Sequence, residues 1–196
     1  MVVGHSHGGA VALAHALQFP DATHGVVALA PIAFPDLRLE HLLFAPRGMP
    51  GFGRALNQAA SAALDPALLP TLWQAMFRPQ EMPPRFAEVF PFAEAGRAAQ
   101  IQAEGEDSAL LNSGLFRSVM NYPTCRCPVR ILAGGRDMVV NNALHGKVLA
   151  QILPDGGYDE LPGLGHMLHH FAQARIVEAV TRLALSGSSS GSAMRG

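Results

Sequence analysis

The sequence predicts an α/β fold, a doubly wound and mostly parallel sheet that carries a helical insertion. Strand-like apolar runs, such as residues 25–30 and 129–134, alternate with helix-forming segments near both ends of the chain. This alternation is typical of parallel sheets with helices on their faces. The long stretch between these regions lacks strand-like runs, which indicates an insertion. A chain of 196 residues accommodates one domain with such an insertion.

Strands are expected at four places. Residues 25–30 and 129–134 are nearly continuous apolar runs flanked by glycine or proline, as in strands that are buried on both faces. Residues 158–162 form a weaker candidate, and the apolar start at residues 1–3 forms the fourth. Segments rich in alanine, leucine and valine predict helices between and after the strands, at about residues 9–18, 142–153 and 170–185.

The middle of the chain is rich in Pro, Phe, Met and Ala. Its apolar spacing predicts short helices at about residues 54–64, 66–77 and 108–120. We therefore expect a core made of residues 1–33 and 122–185 and a helical cap inserted at residues 34–121. The Ser- and Gly-rich residues 186–196 are expected to form a flexible tail.

The composition restricts the class of partner. Hydrophobic residues make up 49% of the chain and charged residues 15%, which is enough for a packed core. A net charge of −1 without a basic tract argues against nucleic acid or an anionic membrane as partner. No apolar run reaches membrane-spanning length. A disulfide between Cys125 and Cys127 would be strained, so we expect reduced thiols and a cytoplasmic location.

A turn near the start of the chain has a catalytic pattern. Gly4-His5-Ser6-His7-Gly8 follows the apolar start and precedes a strong helix former. A strand, a tight turn with serine at its apex and a helix is the context in which a serine hydroxyl projects above a sheet as a nucleophile. Side chains at Gly4 and Gly8 are expected to collide with the neighbouring strand or helix. The backbone N–H of His7 would be an oxyanion donor, whereas the alternative is a turn with an incidental serine.

A serine nucleophile needs an imidazole to accept its proton and an acid to hold that imidazole. Asp137 lies directly after the apolar run 129–134, and His166 lies in a glycine-containing loop before the last helix. Ligand chemistry in open α/β sheets gathers at the carboxyl ends of strands. Ser6, Asp137 and His166 therefore follow three strand–helix turns, in a known chain order for such triads.

These segments resemble the signature blocks of the α/β-hydrolase superfamily, at residues 4–9, 127–137 and 161–166. The nearest group is the cap-bearing esterases and lipases, which use no cofactor. The resemblance covers about residues 1–33 and 122–185, and the cap segment resembles no named family.

The resemblance implies a serine hydrolase that acts on carboxylic esters through an acyl-enzyme. Ser6 would be the nucleophile, His166 the general base and Asp137 its orienting acid. No cofactor is expected, and the partner is a small-molecule ester. A dehalogenase would need a carboxylate in place of Ser6, whereas perhydrolase or C–C hydrolase chemistry with the same triad stays open.

Apolar side chains of the cap indicate an apolar acyl or alcohol group in the substrate. The same residues at helical spacing also fit a core of the cap itself. They are Phe34, Leu37, Leu42, Phe44, Trp73, Phe77, Phe86, Phe90 and Phe92.

The site residues have structural alternatives. Asp137 also fits a turn residue or a helix cap. His169 and His170 are rivals of the proposed base, but we expect them on the first turn of the last helix. His5 and His7, beside the serine, are expected to pack and to line the cleft.

A metal-dependent hydrolase is a second, less favoured class. His5 and His7 resemble part of a His-x-His-x-Asp-His pattern of metallo-β-lactamase-like enzymes, but Gly9 and Ala10 stand where its Asp and last His would be. Histidines within residues 166–170 could complete a site, which would lack a supporting carboxylate.

The resemblance is incomplete at the front of the chain. The superfamily has several strands before the nucleophile, and its second oxyanion donor comes from a loop among them. We therefore expect this sequence to be the carboxy-terminal part of a hydrolase fold, with an exposed first strand. A truncated remnant with weak or no activity is the alternative to an active enzyme.

Overall fold

A computed structural model of the protein describes residues 1–190, and it confirms the predicted α/β class. Four strands form one parallel sheet in the order β1-β2-β3-β4. They are β1 (Val2–His5), β2 (Val26–Leu29), β3 (Val129–Gly134) and β4 (Gly156–Leu161). Because all neighbours pair in parallel, the carboxyl ends of the strands lie at one edge of the sheet.

The helices follow the strands and fill the insertion. In chain order they are α1 (His7–Gln18), α2 (Leu39–Phe44), α3 (Gly53–Ala63), α4 (Asp65–Met76), α5 (Pro84–Val89), α6 (Phe92–Ala95), α7 (Ala98–Asn121), α8 (Leu149–Ile152) and α9 (Gln173–Ser190). A π-helical segment, Ala143–Val148, leads directly into α8.

The sheet is covered on both faces, as expected for a doubly wound fold. Val26 of β2 belongs to one core cluster with Leu13 of α1 and Leu149 of α8. Val27, the next residue, belongs to a second cluster with Leu183 of α9. Successive side chains of a strand point to opposite faces, which is why every residue of β2 is apolar and buried.

The chain divides into two compact units by its internal contacts. Among the described residues, the sheet unit contains Met1–Phe34, Arg78–Gln80 and residues 117–190, and the helical unit contains Pro35–Phe77 and Glu81–Phe116. Residues 78–80 thus belong with the sheet although they lie within the inserted segment of the sequence.

The helical unit has its own core. Phe44, Leu69 and Ile101 are buried together. A buried ion pair joins Arg47 to Asp65 at 2.8 Å.

The aromatic side chains of the insertion contact one another. Trp73 lies 4.8 Å from Phe92, Phe77 lies 5.0 Å from Phe86, and Phe86 stacks on Phe90 at 4.8 Å between ring centroids. Phe77 is buried and the other four rings are half-buried, so the structural alternative of a cap core fits only part of this aromatic set.

Three helices differ from expectation. The last helix of the insertion, α7, begins at Ala98 instead of residue 108. The helix expected at 142–153 is a π-helical segment followed by the short α8. The final helix begins at Gln173 and continues to Ser190, into the segment expected to be a flexible tail, whose remaining residues 191–196 lie outside the described part of the chain.

Cys125 and Cys127 are buried free thiols whose sulfur atoms lie 4.0 Å apart. This separation is about twice the length of a disulfide bond. Within residues 1–190, none of the helices combines the length and the apolar character needed to cross a bilayer.

Candidate active site

Ser6 lies in the tight turn between β1 and α1. Its backbone has φ of 54° and ψ of −119°, a left-handed conformation that is rare outside glycine. The Ser6 N–H donates to the Leu29 carbonyl at 2.9 Å, and the Ser6 carbonyl accepts from the Gly9 and Ile32 N–H groups at 2.9 and 3.1 Å. These bonds maintain a conformation that costs about 1–3 kcal/mol, and such strain concentrates at functional sites.

The glycines of the turn do not all act as the motif suggests. A Cβ on Gly4 would lie 2.1 Å from the Gly8 carbonyl oxygen, so the collision expected there is present. The prediction for Gly8 was wrong, because a Cβ on it would meet no atom of the described residues within 4 Å. Gly9 is the crowded position instead, since its Cβ would lie 2.6 Å from Cβ of Pro31. Close packing of α1 on the segment after β2 therefore depends on Gly9.

Asp137 and His166 form a buried pair at the carboxyl edge of the sheet. Asp137 follows β3 and His166 follows β4, and His166 Nδ1 lies 2.9 Å from Asp137 Oδ2. Their side chains are only 0% and 1% exposed, respectively. The other carboxylate oxygen, Oδ1, accepts from the Val139 and Val140 N–H groups at 2.8 and 2.9 Å. Asp137 therefore acts both as a turn residue and as the partner of His166.

This contact assigns the tautomer of the neutral His166 ring. An ionised carboxylate only accepts hydrogen bonds, so the single proton of the neutral imidazole lies on Nδ1. Nε2 then keeps its lone pair. Nε2 is buried and has no hydrogen-bond partner among the described residues.

The surroundings of Asp137 keep its carboxyl ionised. Burial raises the pKa of Asp137, but the hydrogen bond and the charge of His166 lower it, as do the Val140 and Val139 N–H donors. The sum of these effects holds the pKa below its ordinary value. Asp137 is thus an anion at neutral pH, as the tautomer argument requires.

Further imidazoles surround His166. The His5 ring lies 4.6 Å from the His166 ring and 4.3 Å from the His169 ring. Burial, followed by the charges of His166 and His169, lowers the pKa of His5 to about 3. Burial, followed by the charges of His170 and His166, lowers the pKa of His169 to about 4. His5 and His169 are therefore neutral beside His166 at pH 7.

The positions of His169 and His170 correct an expectation. They lie in a 3₁₀ turn, Leu168–His170, which precedes α9, and not on the first turn of that helix. The described residues contain no group of three or more His, Cys, Asp or Glu side chains arranged to hold a metal ion. The rings of His166, His5, His169 and His170 pack in a row, with neighbouring centroids 4.3–4.6 Å apart.

The structure joins two of the three predicted catalytic side chains by a hydrogen bond. Asp137 bonds to His166, whereas Ser6 makes no hydrogen bond to Nε2 of His166 in the described part of the chain. Such catalytic contacts are often long without substrate and shorten in the reacting complex. The His7 N–H begins α1, where helical N–H groups have no partner inside the helix.

Sequence reasoning missed Gln80. Its side chain makes two hydrogen bonds to the loop that carries His166. The residue lies in a proline-containing stretch with no motif, and its partners are more than eighty positions away in the chain, so no local signal could identify it.

Comparison with known protein families identifies the family of this chain. The model of a family described as the alpha/beta hydrolase family matches residues 1–179. The chain belongs to the alpha/beta hydrolase family. No protein of curated function matches the sequence.

Solved structures of alpha/beta hydrolases share the fold. A thermophilic esterase from Thermogutta terrifontis has 18% sequence identity and a TM-score of 0.60, over 94% of this chain and 64% of the esterase. A haloalkane dehalogenase from Bradyrhizobium elkani has 17% identity and a TM-score of 0.70, over 96% and 67% of the two chains. An enol-lactonase from Burkholderia xenovorans has 17% identity and a TM-score of 0.56, over 93% and 64%. The chain thus spans about two thirds of the length of these hydrolases.

Proposed function

We propose that this alpha/beta hydrolase cleaves carboxylic esters through an acyl-enzyme formed on Ser6. The observation that carries the proposal is the buried Asp137–His166 pair, in which Nε2 of His166 has no hydrogen-bond partner among residues 1–190. A buried nitrogen with a free lone pair needs a hydrogen-bond donor, and the Ser6 hydroxyl would supply one.

The reaction would proceed in two halves. Ser6 Oγ attacks the ester carbonyl carbon while Nε2 of His166 takes the hydroxyl proton. The tetrahedral intermediate then releases the alcohol, which receives that proton, and leaves the acyl group on Ser6. In the second half Nε2 accepts a proton from water, which attacks the acyl carbon. The bond from that carbon to Ser6 Oγ then breaks, Oγ takes the proton back from Nε2, and the carboxylic acid leaves.

The neighbouring groups would assist each half. The Asp137 carboxylate stabilises the imidazolium of His166 that forms twice in the cycle. The His7 N–H, at the amino end of α1, would donate to the oxyanion, with support from the positive end of the helix dipole. The strained turn at Ser6 would be the nucleophile elbow.

The identity of the nucleophile separates esterase from dehalogenase chemistry on this fold. A dehalogenase needs a carboxylate at the position of Ser6. A hydroxyl suits acyl transfer instead, because its acyl ester can be hydrolysed with the help of the same base.

The test is hydrolysis of p-nitrophenyl acetate and butyrate by the purified chain, with Ser6→Ala as the inactive variant. Ser113→Ala, an exposed serine on α7, is the matched control. A fluorophosphonate probe should label Ser6, forming a bond from phosphorus to Oγ and releasing fluoride. Equal turnover in wild type and Ser6→Ala would contradict the proposal.

The predicted preference for an apolar acyl group is tested separately. A series of p-nitrophenyl esters with longer acyl chains should give rising kcat/KM if the substrate site is apolar. A flat or falling series would contradict the preference without affecting the role of Ser6.

A further inference from the structure

The side chain of Gln80 bridges the loop that presents His166. We call residues 162–167 the histidine loop. Gln80 Nε2 donates to the Gly163 carbonyl at 2.7 Å, and Gln80 Oε1 accepts from the Gly165 N–H at 2.9 Å. One side-chain amide thus binds the backbone on both sides of Leu164.

The same loop is packed between two backbone segments. A Cβ on Gly165 would lie 1.9 Å from the Arg78 carbonyl oxygen, so the segment around Gln80 lies directly against it. On the other side, a Cβ on Gly134 would lie 2.3 Å from the Gly165 carbonyl oxygen. Glycine at position 165 is therefore needed for the approach that lets Gln80 reach the loop.

A second side chain holds the next residue of the loop. Nε2 of His5 donates to the carbonyl of His166 at 3.0 Å. The neutral state of His5 leaves one ring proton, and this contact locates it on Nε2. Three side-chain hydrogen bonds, two from Gln80 and one from His5, therefore hold residues 163–166.

We propose that Gln80 and His5 are positioning residues that set the orientation of His166 toward Asp137. The kinetic consequence rests on the proposed function. The loop also has backbone bonds of its own, from the Leu164 N–H to the Leu161 carbonyl and from the Arg136 N–H to the Leu164 carbonyl. Loss of the Gln80 bonds should therefore loosen the imidazole without unfolding the loop.

Gln80→Met is the first test, because methionine has a similar length and cannot replace either hydrogen bond. A misplacement on the order of 1 Å reduces rate by about 10²-fold, so we expect kcat to fall by about 10- to 100-fold. KM should not change, since the imidazole acts in the transition state. Gln151→Met, at an exposed position of α8, is the matched control.

A pair of variants at His5 tests its hydrogen bond to the His166 carbonyl. His5→Gln keeps an N–H donor near the His166 carbonyl, whereas His5→Phe keeps a ring and loses the donor. We expect kcat of His5→Gln to exceed that of His5→Phe by about fivefold or more. Equal kcat in the two variants would remove His5 from the proposal.

Proton NMR provides a readout that needs no activity. The Nδ1–H of His166, held by Asp137, should give a downfield resonance that is absent from His166→Gln. Its exchange with solvent should become at least about tenfold faster in Gln80→Met and stay unchanged in Gln151→Met. Gln80→Glu, which retains an acceptor for Gly165, is measured as well in case Gln80→Met does not fold.

The outcomes separate the two proposals. A wild-type protein that leaves esters intact would contradict the proposed function, while the exchange rate would still decide the role of Gln80. An exchange rate in folded Gln80 variants within about twofold of wild type, or an effect on KM alone, would overturn the positioning role.

Discussion

Replacing Asp137 by asparagine tests the tautomer on which catalysis would depend. Oδ1 accepts from the Val139 and Val140 N–H groups, and Oδ2 accepts from Nδ1 of His166. The amide of asparagine has one oxygen, which should stay with the two backbone donors. Its NH₂ group then faces Nδ1, so the ring proton must move to Nε2, and Nε2 can no longer accept the proton of Ser6.

The size of the expected fall in kcat follows from the free energy needed to flip the asparagine amide. Only the flipped amide directs its oxygen at Nδ1 of His166, which keeps the ring proton on Nδ1 and leaves Nε2 able to accept a proton. Flipping directs NH₂ at two buried N–H donors and deprives both of an acceptor, at about 1–3 kcal/mol each. The total of about 2–6 kcal/mol corresponds to a loss of about 30-fold to 3 × 10⁴-fold, at about 1.36 kcal/mol per factor of ten. The upper end agrees with the fall of about 10⁴-fold known for this change in serine proteases.

The assay is kcat for p-nitrophenyl butyrate, together with the rate of fluorophosphonate labelling of Ser6. Both should fall together, because each needs the proton of Ser6 removed, while KM stays near its wild-type value. Asp21→Asn is the matched control, since the Asp21 side chain is 86% exposed in a surface ion pair. A kcat for Asp137→Asn within about threefold of wild type would refute the tautomer argument.

The remaining predictions concern stability, measured by urea unfolding. Tyr122→Phe should cost about 1–3 kcal/mol, because the buried Tyr122 hydroxyl donates to the Ala33 carbonyl at 2.7 Å; an unchanged midpoint would contradict this. Gly9→Ala should destabilise by about 1–3 kcal/mol through overpacking, whereas Gly8→Ala, with open space around it, should be neutral or stabilising by up to about 1 kcal/mol. Equal effects at Gly8 and Gly9 would show that the crowding is absent. Finally, burial and the neighbouring histidines lower the pKa of His5 from 6.5 to about 3, so the unfolded chain binds a proton that the folded chain excludes. The contribution of His5 to the free energy of unfolding should therefore be constant above pH 6.5. Between pH 6.5 and pH 3 it should fall by up to about 1.4 kcal/mol per pH unit, and His5→Phe should reduce that slope.

Much of the sheet could be predicted because burial on both faces leaves a clear pattern. The run at 25–30 contains β2, and the run at 129–134 coincides with β3. The family match confirms the recognition of the superfamily, which rested on short blocks around Ser6, Asp137 and His166.

The missed features depend on contacts between distant residues. The first turns of α7, from Ala98, contain Ile101 as their single large apolar residue and include Gly105, so they show no apolar periodicity. Glycine is needed at position 105 because the backbone packs closely there: a Cβ on Gly105 would lie 2.6 Å from the Phe44 carbonyl oxygen. The roles of Gln80 and Gly9 likewise require knowledge of which backbone lies opposite, and that information is absent from the local sequence.

The path of the insertion has a practical consequence for protein engineering. It departs after β2 and rejoins the sheet at β3, whereas Ser6, Asp137 and His166 follow β1, β3 and β4. A cap from another hydrolase could therefore be grafted at this junction while all three of those loops are left intact. Such a chimera would lack residues 78–80, which belong with the sheet. Without a glutamine that binds the histidine loop as Gln80 does, we expect the chimera to fold and to have a lower kcat.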